Sequence, residues 1–139
     1  MLVQIIYVSN RKTNCTEKEI EEILKACKKN NASLHLTGVL LYNEHKFLQL
    51  VEGEYKVTME MYDKIKKDNR HENCILISSL FIKERSFPSW QMGLKKVDNS
   101  LEIISDISES EKKYFQQLIA GKQENDGSKA VQLIKKIFN

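Results

Sequence analysis

The sequence predicts an α+β domain, and three observations carry that prediction. Five apolar runs and two amphipathic helical stripes follow one another in the order β-α-β-β-α-β-β. A polar turn, Asn43-Glu44, joins the second and third apolar runs into a hairpin. Two further helical patterns follow the last run, enough to cover the second face of a sheet whose first face takes the earlier helices. Together these describe a ferredoxin-like, split β-α-β sheet with two helices on one face and a C-terminal helix pair on the other.

The first strand, residues 2–9, is apolar at nearly every position (Val3, Ile5, Ile6, Val8), which suits a central strand covered on both faces. Tyr7 sits inside it, either as core filler with its hydroxyl tied to a neighbour or as a reactive group. Residues 10–15 form a polar loop, and Thr16-Glu17-Lys18-Glu19 spells a capping box. The helix that follows sets Ile20, Ile23, Leu24 and Cys27 on one stripe and should stop near Asn30, because asparagine is poor in helix interiors.

Residues 34–42 and 45–51 read as the second and third strands, and Gly38 inside the second implies a bulge or a close approach by another group. A second helix, 55–67, turns Val57, Met61 and Ile65 inward with Tyr62 beside them, and its last turn carries Lys64, Lys66 and Lys67, which suits the negative end of the helix dipole. The fourth strand spans 74–82 after a polar loop at 69–73. The fifth lies around 91–97, behind a loop that holds the only proline and the only tryptophan, Phe87-Pro88-Ser89-Trp90. A second capping box at 108–111 opens a helix that ends near Ala120, and a final helix spans Ser128–Phe138. Residues 1–97 therefore form the sheet domain, and 98–139 a helical extension packed on it.

Composition narrows the class. With 139 residues, 41% hydrophobic and 29% charged, the chain is one ordinary globular domain. No apolar run reaches bilayer length and the N-terminus lacks a signal-peptide pattern, so a cytoplasmic protein with no membrane association is expected. Three widely spaced cysteines indicate neither disulfides nor a metal site. The net charge of +3 is spread over interspersed Lys and Glu, a solvated surface rather than a basic footprint, so nucleic acid is not an expected partner.

The chemistry-bearing feature is a set of carboxamides. Asn30, Asn31 and Gln49 fall on segments that read as buried. Each carries a donor and an acceptor side by side, so they must bond each other, the backbone or a group brought in. Asn31 by itself is equally well read as a helix C-cap, and Lys64 and Arg70 as plain surface charges. Trp90 and Met92 can likewise be simple packing residues.

With these elements placed, the sequence resembles the BLUF family, blue-light sensors that use FAD. The resemblance covers about the first hundred residues. It rests on IIYVS at 5–9, the Asn30-Asn31 pair followed by LTG at 36–38, FLQLVEG at 47–53, Arg70-His71, ERSF at 84–87 and WQM at 90–92, in family order and spacing. The resemblance implies that Tyr7 is the photoactive tyrosine and Gln49 the switching glutamine. Asn31 becomes the asparagine that bonds the flavin ring, with Asn30 beside it. Ile23 and Ile65 become the aliphatic residues on either side of the ring, Lys64 and Arg70 the cations near the phosphate, and Trp90 and Met92 the signalling pair. Other members carry histidine at the position of Asn30 and serine at that of Cys27.

The implied cofactor is FAD, with FMN as the implied substitute. The implied chemistry is electron transfer from Tyr7 to the excited flavin, with the proton passing through Gln49. Back-transfer then leaves the Gln49 amide rotated or tautomerised. Residues 98–139 carry no catalytic motif, so the chain is expected not to be an enzyme but to signal to a partner protein, as a homo-oligomer. The alternatives are a flavin-free interaction module, a split β-α-β nucleic-acid binder and an acylphosphatase-like hydrolase. For the last, Asn10-Arg11-Lys12-Thr13 lacks the glycine a phosphate-cradling loop wants.

Overall fold

The apolar runs pair as one mixed sheet in the computed structural model, which describes residues 1–98, 101, 104, 106–124 and 126–138. The strands are β1 (Leu2–Arg11), β2 (Thr37–Tyr42), β3 (Lys46–Glu54), β4 (His71–Ile82) and β5 (Gly93–Lys96), in the spatial order β4-β1-β3-β2-β5. All neighbours are antiparallel except β2 and β5, which run parallel. Helices α1 (Glu17–Leu34) and α2 (Tyr55–Lys66) lie on one face; α3 (Glu109–Ile119) and α4 (Ser128–Phe138) cover the other.

The period of two sorts the strand residues. Val3, Ile5, Tyr7, Leu40, Phe47 and Val51 pack toward α1 and α2, whereas Ile6, Val8, Val39, Leu41, Leu48 and Leu50 pack toward α3 and α4. Because α3 and α4 fill that second face with Phe115, Leu118, Ile134 and Ile137, the central strands leave no open aromatic platform there among the described residues, of the kind a single-stranded nucleic acid stacks on. Glu52 is also on this side and fully buried. It accepts from Gln4 Nε2 (2.9 Å) and from the backbone N–H groups of Ser86 (2.9 Å) and Phe87 (2.8 Å), which fastens the β4–β5 loop to the sheet.

Several boundaries differ from the sequence reading. Helix α1 does not stop near Asn30 but continues to Leu34, and His35 closes it in the left-handed region (φ 55°), its N–H bonded to Asn31 O. The low helix propensity of asparagine is overridden because the Asn31 side chain is held by tertiary contact (below). As a result β2 begins at Thr37 rather than at Leu34, which becomes an exposed last helical residue. Strand β4 begins at His71, before Cys74, and reaches β1 through two register shifts, with Asn73 at φ 55°. At Gly38 it is close approach, not a bulge, that demands glycine: a Cβ there would lie 1.9 Å from Leu50 O. Thr16 caps α1 by accepting from Glu19 N (3.2 Å), while the reciprocal capping box forms at Ser108 and Glu111.

Candidate functional site

Between α1, α2 and the sheet lies a cavity of about 530 Å³. It exists because the inner stripes of the two helices are only partly covered: Ile23, Val57, Met61 and Ile65 stand at its walls, while Thr58 and Tyr62 reach the sheet. The residues that sequence reading singled out converge on it. Tyr7, Ile23, Asn30, Asn31, Gln49, Lys64, Ile65 and Arg70 all line the cavity.

Tyr7 and Gln49 are cross-strand partners on β1 and β3, so the pleat points both side chains into the same space. The phenol O–H donates to Gln49 Oε1, and Gln49 Nε2 donates to Met92 Sδ at 3.4 Å. In this arrangement the amide oxygen accepts from the phenol O–H, and the amide nitrogen faces a thioether that has no proton to give. Burial pushes the Tyr7 phenol well above the ordinary tyrosine value, and Cys74, Cys27, Tyr62 and Asp68 nearby add to the shift, so the group is a protonated donor at neutral pH. The Tyr62 ring lies tilted against it, 5.5 Å between centroids.

Asn31 is 1% exposed and donates from Nδ2 to Gln91 O at 2.7 Å. Its second N–H and its carbonyl remain chemically suited to a flat ligand with donors and acceptors along one edge. Asn30 stands exposed at the rim, so the neighbouring amides differ in role: one anchors the loop after β4, the other faces the opening.

The two expected cations also differ. Arg70 forks onto Asp68, with Nε at 2.9 Å from Oδ1 and 3.2 Å from Oδ2 and a further contact from Nη2. The hydrogen bonds from Arg70 hold the Asp68 carboxyl below its usual range, against the opposing effect of burial. Lys64, by contrast, has no ion-pair partner among the described residues, which makes it the freer charge at the mouth.

Met92 and Trp90 are separated. Met92 is buried behind Gln49, whereas Trp90 is 36% exposed and packs on Phe87 and Phe138 beside α4, outside the cavity. Residues 90–92 are nevertheless held at each position: the β2 edge bonds Trp90 O through Gly38 N–H (2.9 Å), and from the cavity side Asn31 bonds Gln91 O and Gln49 bonds Met92 Sδ.

Sequence reading gave some contributors no role, although it quoted Phe47 and His71 within motifs. His71 bridges Ser9 Oγ (2.7 Å, from Nδ1) and Ile65 O (2.5 Å, from Nε2), locking the last turn of α2 to the sheet. Phe47 lines the cavity two residues before Gln49, a position the strand alternation alone could have flagged. Asp68 lies two residues from Arg70, and a nearby opposite charge was the available signal. Among the described residues no cluster of His, Cys, Asp or Glu could hold a metal, and no helix is long and apolar enough to cross a membrane. Cys15, Cys27 and Cys74 are free thiols.

The family signature described as "BLUF: Sensors of blue-light using FAD" matches residues 2–93. Photoactivated adenylate cyclase subunit beta of Euglena longa is 30% identical over 88 residues, 63% of this chain and 10% of that protein. The blue light- and temperature-regulated antirepressor BluF of Escherichia coli K12 is 32% identical over 94 residues, 68% of this chain and 23% of that protein. The chain thus spans less than a quarter of the length of either relative. Among solved structures, the ground state of BlsA superposes with a TM-score of 0.76 at 26% identity, covering 100% of this chain and 89% of that one.

Proposed function

Because the chain belongs to the BLUF family of blue-light flavin sensors, we propose that its cavity holds FAD non-covalently and that Tyr7 and Gln49 convert absorbed light into a changed hydrogen bond. Within these 139 residues the chain is a sensor domain rather than an enzyme. The residues present fit such a cofactor. A cavity of about 530 Å³ lies in the range of small-molecule sites, with apolar walls at Ile23 and Ile65, carboxamides at Asn30, Asn31 and Gln49 for a polar edge, and Lys64 and Arg70 for phosphate. FMN meets the same inner residues and is expected to substitute.

When bound, the flavin supplies a light-absorbing ring whose excited state is a strong oxidant. With that ring bound, Tyr7 would be the residue placed to give up an electron, and its proton would leave along the existing bond to Gln49 Oε1. Gln49, left as a rotated or tautomeric amide, would then meet Met92 Sδ through an altered contact. One such bond is worth about 1 kcal/mol, enough to shift a balanced equilibrium about fivefold, so the output must be a poised contact carried by β5 and the loop before it.

The observation that supports this reading best is the buried chain Tyr7–Gln49–Met92 running from the cavity into the residues that lead to β5. Protein purified in the dark should be yellow, and blue light should move its flavin absorption slightly and reversibly to the red. Tyr7→Phe should keep the colour and lose the shift. A colourless protein, even after refolding with FAD, overturns the reading.

A further inference from the structure

We propose that the groove between the β4–β5 loop and the C-terminal end of α4 is a docking site for a partner protein segment presenting an apolar side chain next to a carboxylate. The groove is a second cavity, of about 240 Å³, on the far side of the sheet from the first. Phe87, Pro88, Trp90 and Phe138 form its apolar walls. Trp90 stays 36% exposed although its ring meets Phe87 at 5.7 Å and Phe138 at 5.2 Å, edge-on to the latter. A large aromatic residue left wet in a concave aromatic setting is the usual anchor of a protein interface.

Charge selects the kind of partner. Among the described residues Lys135 is the one charged side chain lining the groove, and it has no ion-pair partner there. The neighbouring lysines are already engaged: Lys136 pairs with Glu111 at 2.9 Å, and Lys95 Nζ donates to Ile137 O at 2.7 Å. An apolar slot with one unmatched cation at its rim favours an acidic neighbour to the inserted side chain, which would also steer the encounter.

The loop that builds this groove is the one gripped from the other side by Asn31 and Gln49 through Gln91 and Met92. Occupancy should therefore respond to light, and for that dependence alone the inference rests on the flavin-sensor reading.

Selection of a random peptide library on the FAD-loaded protein, in the dark and under blue light, tests it. The enriched peptides should share an apolar residue within a few positions of Asp or Glu. Lys135→Glu should weaken them about fivefold to tenfold, and exchanging the peptide acid for lysine should restore binding to that variant. Phe138→Ala should weaken them as well, and lit and dark affinities should differ by about fivefold. The flavin absorption and its light-induced shift should be unchanged in Lys135→Glu. No enrichment, enriched peptides without acids, or binding indifferent to both substitutions overturns the groove. A colourless protein that still selects acidic peptides through Lys135 would instead retain the groove and remove the sensor.

Discussion

The two faces of the sheet solve the same packing problem in opposite ways. Toward α3 and α4 the core is closed: Phe115, Leu118, Ile134 and Ile137 are each 0% exposed against Ile6, Leu41 and Leu50. Toward α1 and α2 the helices stand off, and Ile23, Val57, Met61 and Ile65 are only half-buried around about 530 Å³ of space. That space opens to solvent, is the size of a small-molecule site and has largely apolar walls. On the proposed reading the closed face is the scaffold and the open face the site.

Substitutions on each face should break that symmetry in opposite senses. The largest effect belongs to the scaffold: Phe115→Ala should cost about 3–5 kcal/mol in urea unfolding of the flavin-free protein. Ile65→Ala should cost clearly less in the same experiment, because its side chain already borders open space, and should show itself in weaker flavin retention. An equal loss at both positions would mean that the open face is a core like the other. Next in size is the ligand itself. FAD at about 100 times its dissociation constant should add about 2.7 kcal/mol to the wild type, and melting temperature should rise with FAD concentration.

A third test uses pH. The folded state raises the Tyr7 pKa, so its stabilising contribution is fully present below the ordinary tyrosine value of about 10 and is lost as pH rises beyond it toward the folded value. Wild type should lose stability above about pH 10 more steeply than Tyr7→Phe does, while light switching of the wild type persists to that pH. Tyr42 and Tyr62 are also raised by burial, so part of the alkaline loss should remain in the variant. The smallest effect is expected at Met92→Leu, which preserves volume but removes the sulfur acceptor. Stability should change by less than about 1.5 kcal/mol while lit-state recovery shifts within about fivefold.

Much of this contrast was legible in the sequence, for reasons that can be located. The i, i+3, i+4 stripes put Ile23 and Ile65 on the inward faces of the two helices. The family resemblance implied that Tyr7 and Gln49 face them, since a first strand apolar at nearly every position has no alternation to read. Illegible parts were those decided by distant contacts. Propensity ended α1 near Asn30, yet the Asn31 amide finds Gln91, sixty residues away, and the helix continues. Arg70 read as a free cation because a local charge count does not say which carboxylate will fold back on it, as Asp68 does. Trp90 and Met92, two apart, would share one face of a strand. Since β5 begins only at Gly93, alternation does not apply to them, and the loop sends one to each side of the sheet.

The most direct test of the account is the light-minus-dark infrared spectrum of protein carrying isotope-labelled glutamine side chains, beside the same spectrum of Gln49→Leu. The account predicts label-sensitive amide bands in the wild type that vanish in the variant while the flavin remains bound. A wild-type difference spectrum without glutamine bands, or bands that survive in Gln49→Leu, would contradict it.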